Sequence, residues 1–280
     1  MDQNSVVLIS GCSSGIGLAL AREFASRGSR VFATARRLQA IEHLKKEKMD
    51  IVALDVTDQK SIDACVSEVM ATAGRIDVLV NNAGYLLVGP IIDLPVDDLR
   101  REFETNVIGL VALTQAVAPH MIDQRRGLIV NISSVSGVCA TPFAGAYCAT
   151  KAAVNLLSTS LRVELAPFGV SVVTVQPGAV QSSLGQTASG TLKRAARSFY
   201  EPVFAYVQAR ATASQKDPTT AEEFSKRLVD RLSGRKIPKI VRLGKQSRML
   251  PVIAGLPVGL YDRLMTKTFG LNQLKKDKGT

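Results

Sequence analysis

The chain has 280 residues, of which 46% are hydrophobic and 21% charged, and its net charge is +11. This balance predicts one large α/β domain and excludes a disordered or fibrous chain. The four cysteines are scattered, with no C-x-x-C pair and only two histidines to join them. Neither a metal site nor a disulfide framework is therefore expected, and a reducing, cytoplasmic location fits best.

The excess of basic residues lies in the C-terminal third of the chain. Residues 1–190 carry 16 Lys and Arg against 17 Asp and Glu, whereas residues 191–280 carry 19 against 7. Such an excess favours an anionic membrane surface, nucleic acid or an anionic substrate, or else it is a solvated helical face. The N-terminus lacks the basic start of a signal peptide, and no apolar run is long enough to predict a membrane-spanning helix.

The first predicted strand, Val6–Ile9, leads through a glycine loop into a helix over residues 18–27. The loop has the spacing G-x-x-x-G-x-G, which differs from the ordinary Rossmann fingerprint. Glycines let the backbone approach a pyrophosphate, and the N–H groups at the start of a helix stabilise its charge. The predicted dinucleotide contacts in this loop are Gly11, Ser13, Ser14, Gly15, Ile16 and Gly17.

The turn after the second predicted strand, Arg30–Ala35, selects the cofactor. NAD enzymes place a carboxylate there for the ribose 2′-hydroxyl, whereas an arginine accepts a 2′-phosphate. This chain has Arg36 and Arg37 and no carboxylate in that turn. NADP(H) is therefore favoured over NAD, with Arg36 the preferred ligand because it lies nearer the strand end.

Two further strands complete the first half of the predicted sheet. The strand at residues 51–54 ends at Asp55 and Val56, and Asp55 is equally suited to an adenine contact or to capping its own turn. A helix over residues 58–74 and a strand at 77–80 follow. The latter leads into Asn81, Asn82, Ala83 and Gly84, small polar residues suited to a turn under a flat ring. Regular alternation predicts a doubly wound parallel sheet, Rossmann-like, with helices on both faces and the cofactor at the carboxyl strand ends.

The second half of the pattern places hydroxyl groups at the same edge. A helical stretch over residues 96–124 is interrupted near Asn106, for which backbone contacts are expected. The strand at residues 127–132 ends in Ser133 and Ser134, and the next helix carries Tyr147 and Lys151, four residues apart on one face. The lysine charge is expected to lower the tyrosine pKa, so that the phenol exchanges a proton in an alcohol–carbonyl interconversion.

These motifs occur in the order typical of the short-chain dehydrogenase/reductase family, which the chain resembles over roughly residues 5–185. The resemblance implies that Tyr147 is the proton donor in reduction, or the acceptor in oxidation. It further implies that Lys151 lowers the tyrosine pKa and holds the nicotinamide ribose. Ser134 would bind the substrate oxygen, and Asn106 would hold a water that links Lys151 to solvent.

The same resemblance extends the set of cofactor contacts and implies a homodimer or homotetramer. The resemblance favours Asp55 as the adenine contact over a role in capping its own turn. Ser10 and Ser182 stand where threonine is usual, and because both keep a hydroxyl we still expect activity. The other implied contacts are Val56, Asn82, Ala83, Gly84, Tyr147, Lys151, Pro177, Gly178, Val180 and Ser182.

Residues 1–185 are thus the predicted dinucleotide-binding and catalytic core, and residues 186–280 the substrate lid, last helix and strand, and basic C-terminal extension of the same domain. The predicted mobile helical lid, residues 189–213, holds four aromatics that either line an apolar pocket or only pack the lid. A helix over 219–232 and a strand over 237–241 follow. Residues 249–264 are apolar and proline-broken, and we expect them at a membrane surface or in a dimer and pocket wall.

The expected function is an NADP(H)-dependent oxidoreductase acting on an apolar, lipid-like alcohol or carbonyl in lipid metabolism. The glycine loop and residues 32–36 resemble NADP-using hydroxysteroid and retinol dehydrogenases, and the layout with its basic tail resembles acyl-dihydroxyacetone-phosphate reductases. An NADP(H)-binding redox sensor without turnover is the alternative. Nucleic-acid binding is disfavoured because the chain has no recognisable reading helix or aromatic-basic RNA motif.

Overall fold

The computed structural model describes residues 4–182, 190, 192, 198–234 and 236–274. Seven strands form one parallel sheet in the order β3-β2-β1-β4-β5-β6-β7. This order confirms the predicted doubly wound, Rossmann-like fold of a single domain. The strands are β1 Val6–Ile9, β2 Arg30–Ala35, β3 Asp50–Ala53, β4 Val78–Asn81, β5 Gly127–Ile132, β6 Val170–Pro177 and β7 Ile240–Leu243.

Helices alternate with these strands and cover both faces of the sheet. They are α1 Gly15–Ser26, α2 Gln59–Ala73, α3 Val96–Phe103, α4 Gly109–Asp123, α5 Gly145–Leu165, α6 Phe204–Thr212, α7 Ala221–Leu232, α8 Met249–Ala254 and α9 Val258–Thr268. The ends of α2 follow from local chemistry, since the Asp58 side chain accepts the Lys60 N–H and Gly74 is left-handed.

The strands bury alternate residues against opposite helical layers. In β1, Val7 and Ile9 join the core formed with α1 and α7, in which Phe24 and Phe224 are fully buried. The intervening residues of β1 face the other core, formed with α2 and α4. Because both faces are covered, β1 is apolar throughout rather than alternating.

The helical stretch Val96–Asp123 is broken by a π-helical turn, Glu104–Ile108, at the predicted interruption. Among the described residues this stretch alone is long and apolar enough to cross a membrane by length and composition. Half of the most apolar part of this stretch is buried inside the protein, and Leu113 and Val117 belong to the core beside the sheet. These contacts are those of a core helix in a folded domain.

The last part of the chain differs in detail from the prediction. The final strand begins three residues later than expected, at Ile240. Of the predicted lid, α6 is helical as expected, while residues 189, 191 and 193–197 lie outside the described residues. The apolar stretch at residues 249–264 forms α8 and α9, separated at Pro257. Proline has no N–H to continue α8, yet it suits the residue before a new helix.

Candidate active site

The loops after β1 and β4 are locked together at the carboxyl edge of the sheet. The Asn82 amide nitrogen donates to the carbonyl oxygens of Ser10 and Gly11, each at 3.0 Å. The Ser10 hydroxyl accepts the backbone N–H groups of Asn82 and Ala83 at 3.0 and 3.1 Å. The Ser10 hydroxyl therefore joins the two loops by accepting hydrogen bonds, and Asn82 supports the glycine loop directly by donating to its carbonyl groups.

The glycines of the first loop are required by its own packing. Gly11 has a φ of +75°, in the left-handed region, and a Cβ at Gly17 would lie 2.5 Å from the Asn82 amide nitrogen. The Ser14 side chain makes no capping hydrogen bond to the first turn of α1, and Ser13 is exposed beside it. The N–H groups of that turn are the predicted pyrophosphate donors, together with Gly15 and Ile16.

The residues predicted to bind the adenosine half lie at the ends of β2 and β3. Arg36 and Arg37 follow β2 directly, are exposed, and make no ion pair with any described carboxylate. Asp55 Oδ1 accepts the N–H and hydroxyl of Thr57 at 3.0 and 2.8 Å, so the turn-capping role is observed. Val56 is buried. The adenine contacts of these two residues remain predictions.

The structure brings Tyr147 and Lys151 onto one buried face of α5, as predicted. Lys151 Nζ lies 5.7 Å from the centroid of the Tyr147 ring and donates to the carbonyl oxygen of Ile132 at 3.0 Å. The backbone of α5 is fixed at this level, because Ser133 Oγ donates to the Lys151 carbonyl at 3.0 Å. A Cβ at Gly137 would lie 2.5 Å from the same carbonyl group, so only glycine permits this approach.

The two adjacent serines have different partners. Ser133 Oγ bonds the Lys151 backbone, whereas the Ser134 hydroxyl lies close enough to the Tyr147 phenol to lower its pKa. Ser134 Oγ also accepts the N–H of Ser136 at 3.0 Å, which fixes the hydroxyl at the end of β5. The geometry therefore favours Ser134 as the predicted substrate-binding serine.

The predicted fall in the Tyr147 pKa is wrong. Burial raises the pKa of Tyr147 to about 12, and the Ser134 hydrogen bond opposes this rise only in part. Lys151 does not offset the cost, because burial lowers its own pKa to about 8 and its ammonium points at Ile132. At neutral pH the tyrosine holds its proton and is ready to donate it.

Asn106 lies inside the π-helical turn and makes the backbone contacts that the sequence predicts. Its Oδ1 accepts the Tyr85 N–H and its Nδ2 donates to the Tyr85 carbonyl, both at 2.9 Å. A Cβ at Gly84 would lie 2.9 Å from Asn106 Oδ1 and 3.7 Å from Lys151 Nζ. The three residues converge in one space, as a water relay between Asn106 and Lys151 requires, and that relay remains a prediction.

The last group of predicted cofactor contacts lies after β6. Gly178 permits a close approach of the loop after β7, since a Cβ there would lie 2.8 Å from the Ser247 nitrogen. Val180 is buried, and the Ser182 N–H donates to the Gln215 side chain at 3.1 Å. Pro177 ends β6 at the same edge of the sheet as the other motifs.

An apolar cluster covers Tyr147 and draws on several segments that are distant in sequence. Phe143, just before α5, contacts the rings of Tyr200 and Phe269, each at 6.0 Å between centroids. Val207 of α6 is fully buried in the same cluster. Of the four predicted lid aromatics, Tyr200, Phe204 and Tyr206 pack here, whereas Phe199 is 75% exposed. The cluster forms an apolar wall beside the phenol.

The family model of the short chain dehydrogenases matches residues 5–192. The chain belongs to this family. It is 36% identical over 240 residues to an NADPH-dependent 1-acyldihydroxyacetone phosphate reductase of Schizosaccharomyces pombe, covering 84% of this chain and 80% of the relative.

Solved structures agree with this assignment. A short-chain dehydrogenase from Streptomyces avermitilis aligns over 100% of both chains with 32% identity and a TM-score of 0.79. A serine dehydrogenase complexed with NADP+ aligns over 90% of this chain and 98% of its own, with 28% identity and a TM-score of 0.76. This short-chain dehydrogenase thus shares its fold with oxidoreductases along its whole length.

Two charged residues near Tyr147 were not predicted from the sequence, the buried Glu102 of α3 and the partly buried Arg210 of α6. Both lie close enough to Tyr147 to change its pKa by their charges. No spacing marks either residue, because each stands among other charged residues or polar helix positions. Within the described ranges, no three His, Cys, Asp or Glu side chains come together as a metal site.

Glu102 is fully buried near the predicted catalytic residues Tyr147 and Lys151, whose charges interact with its own. Its Oε1 accepts the Leu87 N–H at 2.8 Å, and its Oε2 has no hydrogen-bond partner among the described residues. Burial raises the pKa of Glu102 to about 7, a rise that the Leu87 N–H and the charge of Lys151 oppose. The acid is therefore held close to neutral pH between its two protonation states.

Replacing Glu102 should remove a pH dependence of stability. The folded-state pKa of Glu102 lies above the ordinary 4.5. The stability that its protonated form allows is therefore fully present below about pH 4.5 and is lost as the pH rises through about 7. In Glu102→Gln we expect the loss in unfolding free energy between about pH 5 and pH 7.5 to shrink by about 2 kcal/mol relative to wild type. Urea titrations at both pH values measure it.

Glu104→Gln is the matched control, because Glu104 is exposed two residues away. It should leave the wild-type pH profile unchanged. An unchanged profile in Glu102→Gln would show that Glu102 ionises normally in the folded protein.

Proposed function

We propose that the protein is an NADP(H)-dependent oxidoreductase that interconverts an alcohol and a carbonyl on an apolar, lipid-like substrate of lipid metabolism. The observation that carries this proposal is the buried Tyr147 phenol, which lies beside the Ser134 hydroxyl and Lys151 within an apolar cluster. The Schizosaccharomyces pombe relative is a reductase of an acylated phosphate ester, which supports a lipid-like substrate.

The residues at the carboxyl edge fit NADP(H). The glycine loop leads into the N-terminus of α1, whose first-turn N–H groups suit a pyrophosphate, and Arg36 and Arg37 offer guanidinium groups, free of any described carboxylate, where a 2′-phosphate needs them. Bound NADP(H) would supply or accept the hydride. The proton and the orientation of the substrate then fall to the side chains of this chain.

In reduction, Tyr147 donates its phenolic proton to the carbonyl oxygen. Its raised pKa keeps that proton on Oη at neutral pH, and Ser134 Oγ holds the substrate oxygen beside it. Lys151 replenishes the proton through the space that it shares with Asn106 and Gly84. The apolar wall excludes water, which strengthens the hydrogen bonds to the developing oxyanion.

Removing the phenolic hydroxyl tests this role. In Tyr147→Phe we expect kcat/KM for NADPH-dependent reduction to fall by about 100-fold to 10,000-fold, because the proton donor is lost. The panel is acyl-dihydroxyacetone phosphate, retinal, a keto-steroid and small aldehydes, followed by NADPH absorbance. Binding of NADPH, measured by its fluorescence, should stay within about 3-fold because no phosphate contact is touched.

Tyr206→Phe is the matched control, since its hydroxyl bonds Gln273 at 2.8 Å rather than a catalytic group. Full turnover by Tyr147→Phe would refute the proton-donor role. NADPH binding by wild-type protein without turnover on any panel member would favour the redox-sensor alternative.

We also propose a homodimer or homotetramer. The outer surface around α4 and α5 exposes three large apolar side chains, Ile108, Leu156 and Val163, at 51%, 74% and 64%. Sedimentation equilibrium should give two or four times the chain mass of 30.0 kDa. Leu156→Glu should shift the mass toward one chain, while Ile240→Glu should not. A wild-type monomer at micromolar concentration would contradict the proposal.

A third proposal is that the protein is cytoplasmic and binds membranes peripherally through a C-terminal patch. The patch consists of Met249, Val252, Val258, Leu260 and Leu264, which are 37–76% exposed. Arg248, Arg263 and Lys267 flank it and are exposed. Apolar area rimmed by positive charge suits an anionic lipid surface.

Vesicle co-sedimentation tests the patch. We expect binding to vesicles containing phosphatidylserine, and binding weaker by about 10-fold or more to phosphatidylcholine alone, because about 1 kcal/mol is gained per basic residue near an anionic surface. Val252→Glu with Val258→Glu should abolish binding, and Ile240→Glu should retain it. Equal binding by all three proteins would place the contact elsewhere, and a mass halved by the double variant would assign the patch to a second copy of the chain.

A further inference from the structure

Arg210 lies on the buried face of the lid helix α6. Val207, one turn earlier, and Ala211, the next residue, are 0% and 1% exposed and pack in the cluster that covers Tyr147. Arg210 itself is only partly accessible to solvent. Its Nε donates to Thr141 Oγ1 at 3.0 Å, in the segment that leads into α5. The guanidinium therefore reaches from the lid to the segment that precedes α5.

The charge of Arg210 bears directly on the reacting group. It interacts with the side chains of Tyr147 and Cys148, and it favours the ionised form of the phenol. Thr141, to which it bonds, lies 4.0 Å from Cys148 Sγ, measured from Oγ1. The charge of Arg210 therefore acts on the Tyr147 phenol, where the proposed function places the substrate carbonyl.

No described carboxylate neutralises this cation. Of the nearest acids along the chain, Glu201 is exposed and Asp217 pairs with Lys245. The sequence has no Asp or Glu between Glu164 and Glu201, so the connecting stretch before α6 supplies none either. A largely buried guanidinium without an opposite charge is costly, and burial accordingly lowers the pKa of Arg210.

We infer that Arg210 binds an anionic group, phosphate or carboxylate, that the substrate carries close to its reacting carbonyl. Nε is engaged by Thr141, which orients the guanidinium and leaves its Nη atoms for a bidentate contact with an anion. The apolar wall then receives the rest of the molecule. This inference rests on the proposed function and narrows it to an amphiphilic substrate with its charge near the carbonyl.

Matched substrate pairs test the inference. Short-chain acyl-dihydroxyacetone phosphate is compared with acyl-dihydroxyacetone, and a 3-keto acid with its methyl ester, at concentrations below micelle formation. In Arg210→Gln we expect kcat/KM for the preferred anionic member to fall by about 10-fold to 100-fold, as for a lost charge-assisted hydrogen bond, and that for its neutral partner to change by less than about 3-fold. The affected pair identifies phosphate or carboxylate.

Two further variants separate binding from structure. Arg210→Lys should restore part of the loss because it keeps the charge, and Arg231→Gln, which removes an exposed arginine on α7, should behave as wild type. The melting temperature of Arg210→Gln should not fall, because an unneutralised buried charge is removed. Equal losses on anionic and neutral substrates, or a lowered melting temperature with no substrate preference, would overturn the inference.

A binding experiment keeps the two proposals distinguishable. With NADPH saturating, titration calorimetry compares short-chain 1-acylglycerol 3-phosphate with 1-acylglycerol, and a 3-hydroxy acid with its methyl ester; these alcohols cannot react in that complex. Wild type should prefer the anionic member of one pair by about 10-fold or more, and Arg210→Gln should lose this preference. That result without turnover would sustain the anion site while the proposed reaction failed. Absence of any preference in wild type would refute the site.

Discussion

The packing of α5 against the carboxyl end of β5 is the contact on which the candidate active site depends. Gly137 lets the two backbones meet, and the Ser133 hydroxyl bonds the Lys151 carbonyl at that point. From this fixed backbone, Lys151 Nζ reaches Ile132 and Tyr147 meets Ser134. The side chains are therefore held by a helix and by the hydrogen-bonded turn that directly follows a strand, which is the rigidity that a preorganised site requires.

Burial then decides which charges this site can carry. It raises the pKa of both Tyr147 and Glu102 and lowers that of Lys151, so each group is pushed toward its neutral form. A site that resists charge in this way makes any charge that arises during reaction more sensitive to nearby donors. Arg210 is the exception, because a guanidinium stays protonated, and this is why the lack of a described carboxylate beside it is informative.

The sequence predicted the sheet and most of the site because both depend on local patterns. Short apolar runs between helices specify β1 to β6, and the loop glycines are demanded by contacts a few residues away or by one adjacent loop. The direction of the shift in the Tyr147 pKa was predicted wrongly. The i,i+4 relation to Lys151 is local, but burial of the phenol depends on Val207 and Phe269, which are distant in sequence. Glu102 and Arg210 were missed for the same reason.

The C-terminal extension contributes both to the apolar wall beside Tyr147 and to the C-terminal patch proposed to bind membranes. On its inner side, the Tyr261 hydroxyl of α9 donates to the Ala140 carbonyl, and Phe269 packs on Phe143 in the apolar wall. On its outer side, α9 exposes Leu260 and Leu264 in the C-terminal patch. One helix thus separates the apolar wall beside Tyr147 from the surface proposed to meet lipid. A lipid-like substrate drawn from an anionic membrane would pass from one face of this helix to the other, so the two proposals support each other physically.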